Sequence, residues 1–198
     1  MDKSALTGAH GLVGPNAILQ CREALEARGG PELARRIFAE AGLRAALDTP
    51  PDEMVPAEEA RVLHMAIRAG LPPEAARVVT REAGRLTGEY ILAHRIPARA
   101  QKALRLMPAS LAGPILLAAI RRHSWTFAGE AEVQTRRGNP MVMEILRNPL
   151  AQPGCPWHIA VLETLYRNLV AASVWVEHGP CCAEGAPACR FKIHLRPR

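Results

Sequence analysis

Four of the five cysteines lie in the last 45 residues of this 198-residue chain, at points where predicted elements begin or end. Cys155 precedes a predicted amphipathic helix, the pair Cys181 and Cys182 ends the strand after that helix, and Cys189 begins the final strand. A helix packed on a hairpin brings these three points to one end of a sheet. Three thiolates from separate elements, with a fourth ligand close by, suit the tetrahedral coordination of Zn²⁺.

The fourth ligand has two candidates, Glu177 and His178, directly before the cysteine pair. The spacing alone also allows buried thiols without any metal, because the chain has no Cys-x-x-Cys motif and lacks the spacing of ferredoxin-type iron–sulfur proteins. Cys21 lies on the apolar face of the first predicted helix and is expected in the core. An odd number of cysteines argues against a disulfide framework.

The net positive charge of the chain comes entirely from its second half. Residues 1–100 hold 13 basic and 13 acidic side chains, whereas residues 101–198 hold 12 and 6, which accounts for the whole net charge of +6. Six of the eight aromatic residues also lie in that half. A basic, aromatic half indicates an anionic partner with a flat apolar body, or simply a solvated surface. Nucleic acid is disfavoured, since only three of the 25 basic residues are lysines and the arginine pairs are isolated.

The composition predicts a cytoplasmic, soluble protein. The longest apolar run, 111–120, is broken by Gly113-Pro114 and is about half the length that a bilayer span needs. No apolar segment of a signal peptide follows Met1.

Helical periodicity dominates the chain up to His123, and strand-like alternation follows it. We expect a flexible lead-in over 1–15, a helical half over 16–123 and an α/β portion over 124–198, together forming one compact domain. Helices are predicted at 17–28, 31–41, 56–69, 73–94, 98–106, 109–122 and 156–172, and strands within 125–137 and at 141–146, 173–177 and 190–195. The fold class is α+β, with a helical N-terminal half packed on a small antiparallel sheet that one long helix crosses.

The C-terminal segment resembles the 4-vinyl reductase domain family. The spacing of Cys181, Gly185, Cys189 and Phe191 matches the family's final loop and strand, and Asn139-Pro140 and Cys155 also fit. The resemblance covers about residues 105–198, and the preceding helices fit a superfamily that includes haem-based nitric-oxide sensors and a vesicle-tethering subunit fold.

This resemblance implies structural zinc, because phenol-sensing members of the family bind it through three cysteines and a glutamate. Carried over by position, the cysteines are Cys155, Cys181 and Cys189. The glutamate position is occupied by His178 here, with Glu177 one residue early, so either residue is left as the fourth ligand, and Cys182 is an extra thiol.

Gly14-Pro15-Asn16-Ala17 and the helical half resemble a narrower branch, the bacteriochlorophyll 4-vinyl reductase (divinyl chlorophyllide 8-vinyl reductase) family of bacteriochlorophyll biosynthesis. That resemblance implies a divinyl magnesium tetrapyrrole of the protochlorophyllide or chlorophyllide type as ligand, other enzymes of the pathway as partners, and a homodimer. The ligand would lie between the helices and the sheet. Its candidate contacts are the walls Trp125, Phe127, Met141, Met143 and Trp157, the axial ligands His94, His123 and His158, and the cations Arg121, Arg122 and Arg147.

The chemistry implied by the family name lacks a motif in this chain. Vinyl reduction needs a source of hydride or electrons, yet no Gly-x-Gly-x-x-Gly follows a strand and no Walker loop is present. The sequence therefore favours a protein that holds or delivers the tetrapyrrole. The alternatives are an 8-vinyl reductase, with a partner supplying electrons, and a small-molecule sensor module.

Overall fold

The computed structural model describes residues 11–195, and its N-terminal half is helical, as predicted. Proline begins or directly precedes most of these helices, because its fixed φ and missing N–H suit the first helical turn. The helices are α1 (Asn16–Glu40), α2 (Ala45–Asp48), α3 (Ala57–Gly70), α4 (Pro73–His94), α5 (Ala98–Leu106), α6 (Ala109–Arg122) and α7 (Trp125–Ala128). None of the helices within residues 11–195 has the length and apolar character needed to cross a bilayer.

Helix α1 contains the two helices that the sequence predicts around Gly29 and Gly30. The backbone leaves helical geometry there, with Gly30 at φ +74°, and Pro31 begins the second segment. The two helical segments are therefore consecutive and are separated by a kink.

The C-terminal half supplies a four-stranded antiparallel sheet and the helix α8 (Pro156–Leu169), which confirms the α+β class. The strands are β3 (Val133–Arg136), β4 (Met141–Leu146), β5 (Trp175–His178) and β6 (Ala188–His194), in the spatial order β3-β4-β6-β5. Alternate residues of β6 are buried, so one face of this central strand packs on the core.

The strand predicted to begin at Trp125 is wrong over its first residues. Trp125–Ala128 form a helical turn, closed by a 2.7 Å bond from the Ala128 N–H to the Ser124 carbonyl, and the strand begins only at Val133. Two aromatic residues two positions apart suit a strand, but they also fit one turn of helix, so the short pattern did not separate the two.

Part of the predicted lead-in is ordered by pairing. Residues 1–10 lie outside the described residues. Leu12–Val13 (β1) pair antiparallel with Val55–Pro56 (β2), and the Gly14 N–H donates to the Thr126 carbonyl at 2.7 Å. This segment thereby joins the start of α3 to the α7 turn.

Helices α4 and α8 form the most extensive helix–helix contact and join the two halves. Gly84 of α4 faces the α8 backbone so closely that a Cβ would lie 2.3 Å from the Trp157 carbonyl oxygen and 2.9 Å from Ala160 Cβ. A backbone atom cannot move aside as a side-chain tip can, so only glycine allows this approach.

Gly84→Ala should therefore lower the free energy of unfolding by on the order of 3 kcal/mol, although alanine is the better helix former. Urea unfolding checks this. Gly70→Ala is the control, because the atoms nearest its Cβ are the ends of the Ile37 and Glu40 side chains, which can rotate away. Equal stability of the wild type and Gly84→Ala would contradict the close approach.

Candidate functional site

Three cysteines and one histidine form a compact cluster at one end of the sheet. The ligand atoms of Cys155, His178, Cys181 and Cys189 all lie within 4.8 Å of one another, and the three thiols are buried. The Sγ–Sγ distances are 3.5 Å for Cys155–Cys189, 3.7 Å for Cys155–Cys181 and 3.8 Å for Cys181–Cys189. The elements meet as the sequence predicted, with Cys155 before α8, Cys181 after β5 and Cys189 in β6.

These separations suit a tetrahedral ion. Four ligands about 2.3 Å from a central Zn²⁺ would be about 3.8 Å apart along each edge, and the three sulfur distances lie within a few tenths of an ångström of that value. His178 adds a second indication, because its Nε2 is buried and has no hydrogen-bond partner within residues 11–195. The cluster is therefore a possible metal site with four protein ligands.

His178 lies beside the three cysteines, and Glu177 does not. Neighbouring residues of a strand point to opposite faces, and Glu177 lies on the other face of β5. There its carboxylate accepts hydrogen bonds from Lys192 Nζ at 2.8 Å and from His194 Nε2 at 3.0 Å, and these bonds lower its pKa. Of the two candidates that the sequence left open, Glu177 is thus the one that does not reach the cysteines.

Cys182 and Cys21 stand apart from the four-residue cluster. Cys182 is half-buried, and its N–H donates to Cys189 Sγ at 3.3 Å. Cys21 lies in the core, where burial raises its pKa and its thiol donates to the Ala17 carbonyl. Inside the cluster, the hydrogen bond from Cys155 to Cys189 lowers the pKa of Cys189 to about 3, so this thiol is the most readily ionised of the three.

A cavity of about 390 Å³ lies between the helical half and α8. Its volume falls in the range of small-molecule sites. The walls are mainly apolar and aromatic side chains from α4, α6, α7, β4 and α8, among them Ile91, Leu116, Ile120, Trp125, Phe127, Met143, Trp157, Val161, Leu162 and Leu165.

About half of the predicted tetrapyrrole contacts line this cavity. They are His123, Trp125, Phe127, Met143, Trp157 and His158. Met141 is fully buried and lies against Gly113 instead, and His94 packs on the Tyr90 ring with centroids 4.6 Å apart. Arg121 lines a separate cleft with Arg137, while Arg122 and Arg147 do not line the cavity.

The cation that does line the cavity is Arg95, which the sequence analysis missed. It follows the last residue of α4, and its guanidinium lies 5.8 Å from the centre of the Tyr90 ring. The sequence signal for Arg95 was its position directly after a long helix, next to the candidate ligand His94.

His158 is the polar group most enclosed among the aromatic walls. Its ring centroid is 5.0 Å from that of Trp157, 5.6 Å from Phe191 and 6.3 Å from Phe127. Neither ring nitrogen has a hydrogen-bond partner in the described part of the chain. Burial lowers the pKa of His158 to about 3, so its imidazole is neutral near pH 7 and keeps a nitrogen lone pair available.

A second buried histidine, His64, makes stability depend on pH. Burial lowers its pKa to about 4, below the ordinary value of 6.5, while its Nε2 lies 3.1 Å from the Ala17 carbonyl. As the pH falls, His64 binds a proton near pH 6.5 in the unfolded chain but only near pH 4 in the folded chain. The neutral His64 side chain therefore makes its full contribution to the free energy of unfolding above pH 6.5. This contribution, on the order of 3 kcal/mol, is lost as the pH falls toward 4.

We expect His64→Gln to unfold with a shallower loss of stability between pH 6.5 and 4.5 than the wild type, whatever its stability at pH 7. Urea unfolding at several pH values measures this slope. His94→Gln, at an exposed position on α4, is the control for the removal of a histidine outside the core. The same slope in all three proteins would contradict the account.

Comparisons with known proteins agree with this picture. No family model matches the chain. The bacteriochlorophyll synthase 23 kDa chain of Cereibacter sphaeroides is 46% identical over 187 residues, covering 91% of this chain and 89% of that protein. The Rhodobacter capsulatus protein of the same name is 37% identical over 188 residues, covering 92% and 86%.

Solved structures of H-NOX proteins share the fold. One, from work on the function of heme distortion in the H-NOX family, has a TM-score of 0.57 at 11% identity and covers 91% of this chain and 93% of its own. Another, from S. oneidensis in the Fe(II)NO ligation state, has a TM-score of 0.54 at 14% identity, with 93% and 99% covered. The fold is therefore the one found in H-NOX proteins, as the resemblance implied. From its two close relatives, the chain belongs to the family of the bacteriochlorophyll synthase 23 kDa chain.

Proposed function

We propose that this protein acts in bacteriochlorophyll biosynthesis by binding a divinyl magnesium tetrapyrrole in the 390 Å³ cavity and holding or delivering it to other enzymes of the pathway. The names of its relatives support the pathway. The heme named for an H-NOX structure of the same fold supports a tetrapyrrole as the class of ligand.

The observation that carries the proposal is His158. A neutral imidazole without a hydrogen-bond partner, buried among aromatic rings, is costly unless a ligand uses it. A magnesium ion at the centre of a flat macrocycle accepts one axial nitrogen, while the apolar walls cover the ring. His158 is the residue that would hold the magnesium of the bound pigment.

Arg95 would supply the contact for the acid group of the ligand. A tetrapyrrole acid carries a propionate, and a guanidinium offers that carboxylate two parallel N–H donors. Arg95 is exposed at the end of α4 and makes no salt bridge within residues 11–195, so it is available for that contact.

Zinc in the cluster would hold the cavity wall in place. Cys155, His178, Cys181 and Cys189 would form a closed tetrahedral set, which leaves no open position for catalysis and so gives the ion a structural role. Cys155 has φ +41° and directly precedes Pro156, the first residue of α8. Fixing Cys155 fixes the first turn of α8, which carries both Trp157 and His158.

The test is a titration of a divinyl magnesium tetrapyrrole into the purified, zinc-loaded protein, followed by visible absorption with and without NADPH. We expect one pigment per chain, a Soret band shifted to longer wavelength, and recovery of the pigment with its vinyl group intact under both conditions. Loss of the vinyl group with NADPH would contradict a purely carrying role and favour the reductase. No binding at micromolar concentrations would contradict the proposal altogether.

A further inference from the structure

Helix α5 and the turn after it present an aliphatic surface to solvent. Leu104 is the only buried residue of α5. Leu106 is 76% exposed, Leu111 59%, Ile115 48% and Met107 37%. These four residues are called the α5–α6 patch here. Leu111 and Ile115 are four residues apart on α6 and so lie on one helix face.

The chain segment that contains this patch carries basic residues and no acidic ones. Residues 90–129 contain six Arg or Lys residues and no Asp or Glu. Arg99 and Lys102 of α5 are exposed, and neither joins a salt bridge within the described part of the chain. Arg105 donates to the neutral Asn168 carbonyl and to Gln101 Oε1.

Elsewhere on the helical surface many of the arginines are paired with glutamates one turn away, although Arg28 and Arg68 join no salt bridge within the described residues. Such pairs occur on α1, α3 and α4, and they include Arg22–Glu26, Arg61–Glu58, Arg77–Glu74 and Arg85–Glu82. The absence of acidic residues from the segment 90–129 is therefore a local feature of the chain.

We infer that the α5–α6 patch docks on the surface of an anionic phospholipid bilayer. Aliphatic side chains that project from a helix end and its following turn can enter the boundary between headgroups and acyl chains, while flanking cations contact lipid phosphates. The four patch residues include no aromatic side chain, whereas the centres of protein–protein interfaces are enriched in aromatics. The combination therefore fits a lipid surface better than an acidic protein partner.

The patch adjoins the cavity. Ala119 continues the stripe of Leu111 and Ile115 by one further helical turn, is exposed, and lines the cavity. Arg95 and Ile96, just before α5, line it as well. Docking through the patch would place this side of the cavity against the bilayer.

The experiment is co-sedimentation of the full-length, pigment-free protein with vesicles of phosphatidylcholine alone or with 30% phosphatidylglycerol, at low and high salt. We expect binding to the anionic vesicles only, weakened by salt. The double variant Leu106→Ser/Leu111→Ser and the double variant Arg99→Gln/Lys102→Gln should each bind about tenfold more weakly. Matched controls are Met65→Ser/Val78→Ser and Arg28→Gln/Arg68→Gln, at exposed positions on the other helices, and these should bind as the wild type does.

Equal loss in the control variants, equal binding to neutral vesicles, or no binding at low salt would each overturn the inference. A lower molecular mass of Leu106→Ser/Leu111→Ser than of the wild type in analytical ultracentrifugation without vesicles would also overturn it, because the patch would then be an interface between copies of the chain. The vesicles contain no tetrapyrrole, so failure here is distinct from failure of the proposed function.

Discussion

Replacing Cys189 with serine should abolish zinc binding and cause a large loss of stability. Cys189 is fully buried and its Sγ lies within 3.8 Å of both other cluster thiols. The ion would tie β6, the loop after β5 and the start of α8 together, so its binding free energy is part of the folding free energy. We expect a loss of more than about 4 kcal/mol, or on the order of 10 °C in Tm.

Elemental analysis of the purified protein and thermal unfolding measure these two effects. Cys182→Ser is a close control, since Cys182 is the direct neighbour of a cluster cysteine yet lies outside the cluster. It should keep one zinc per chain and nearly the wild-type Tm. Full zinc content in Cys189→Ser, or equal zinc loss in both variants, would contradict the assignment.

The second large effect is expected at His158. His158→Leu places an apolar side chain of similar size at the cavity wall and removes the nitrogen proposed to bind magnesium. The apolar walls remain, so the pigment should still bind, about tenfold to a hundredfold more weakly, which corresponds to about 1.4 to 2.8 kcal/mol. The shift of the Soret band that axial imidazole produces should disappear from the bound pigment.

The spectrum separates a ligand from a residue that merely packs, because a packing defect alone would weaken binding without removing the axial shift. His123→Leu changes the other histidine that lines the cavity and serves as the control. We expect it to retain the shift. Loss of the shift in His123→Leu, with its retention in His158→Leu, would contradict the assignment of His158.

The convergence of the three cysteines could be predicted because it depends only on where elements begin and end. The choice between Glu177 and His178 could not, since it depends on which face of β5 points to the cluster. That face is fixed by the pairing with β6, where His178 lies opposite Phe191 and Glu177 opposite Lys192. A shift of one residue in this register would exchange the two side chains.

The residues of α6 that line the cavity could not be predicted for a similar reason. The helix itself was predicted with its correct ends, but Arg121 and Arg122 were chosen for their charge and not for their position around the helix. The face of α6 that lines the cavity holds Leu116, Ala119 and Ile120. At 100° per residue, the two arginines fall outside that arc.

The measurement that tests the central claim most directly is pigment binding by a protein whose cavity is blocked. Ala119 is exposed and lines the cavity, so Ala119→Trp should fold normally and fill the space with an indole ring. Its neighbour Ala118 is also exposed but lines the separate cleft with Arg121, which makes Ala118→Trp the matched control. Titration of the same divinyl magnesium tetrapyrrole should give an affinity at least about tenfold weaker for Ala119→Trp and unchanged for Ala118→Trp. Equal affinity of the wild type and both variants would contradict binding in this cavity.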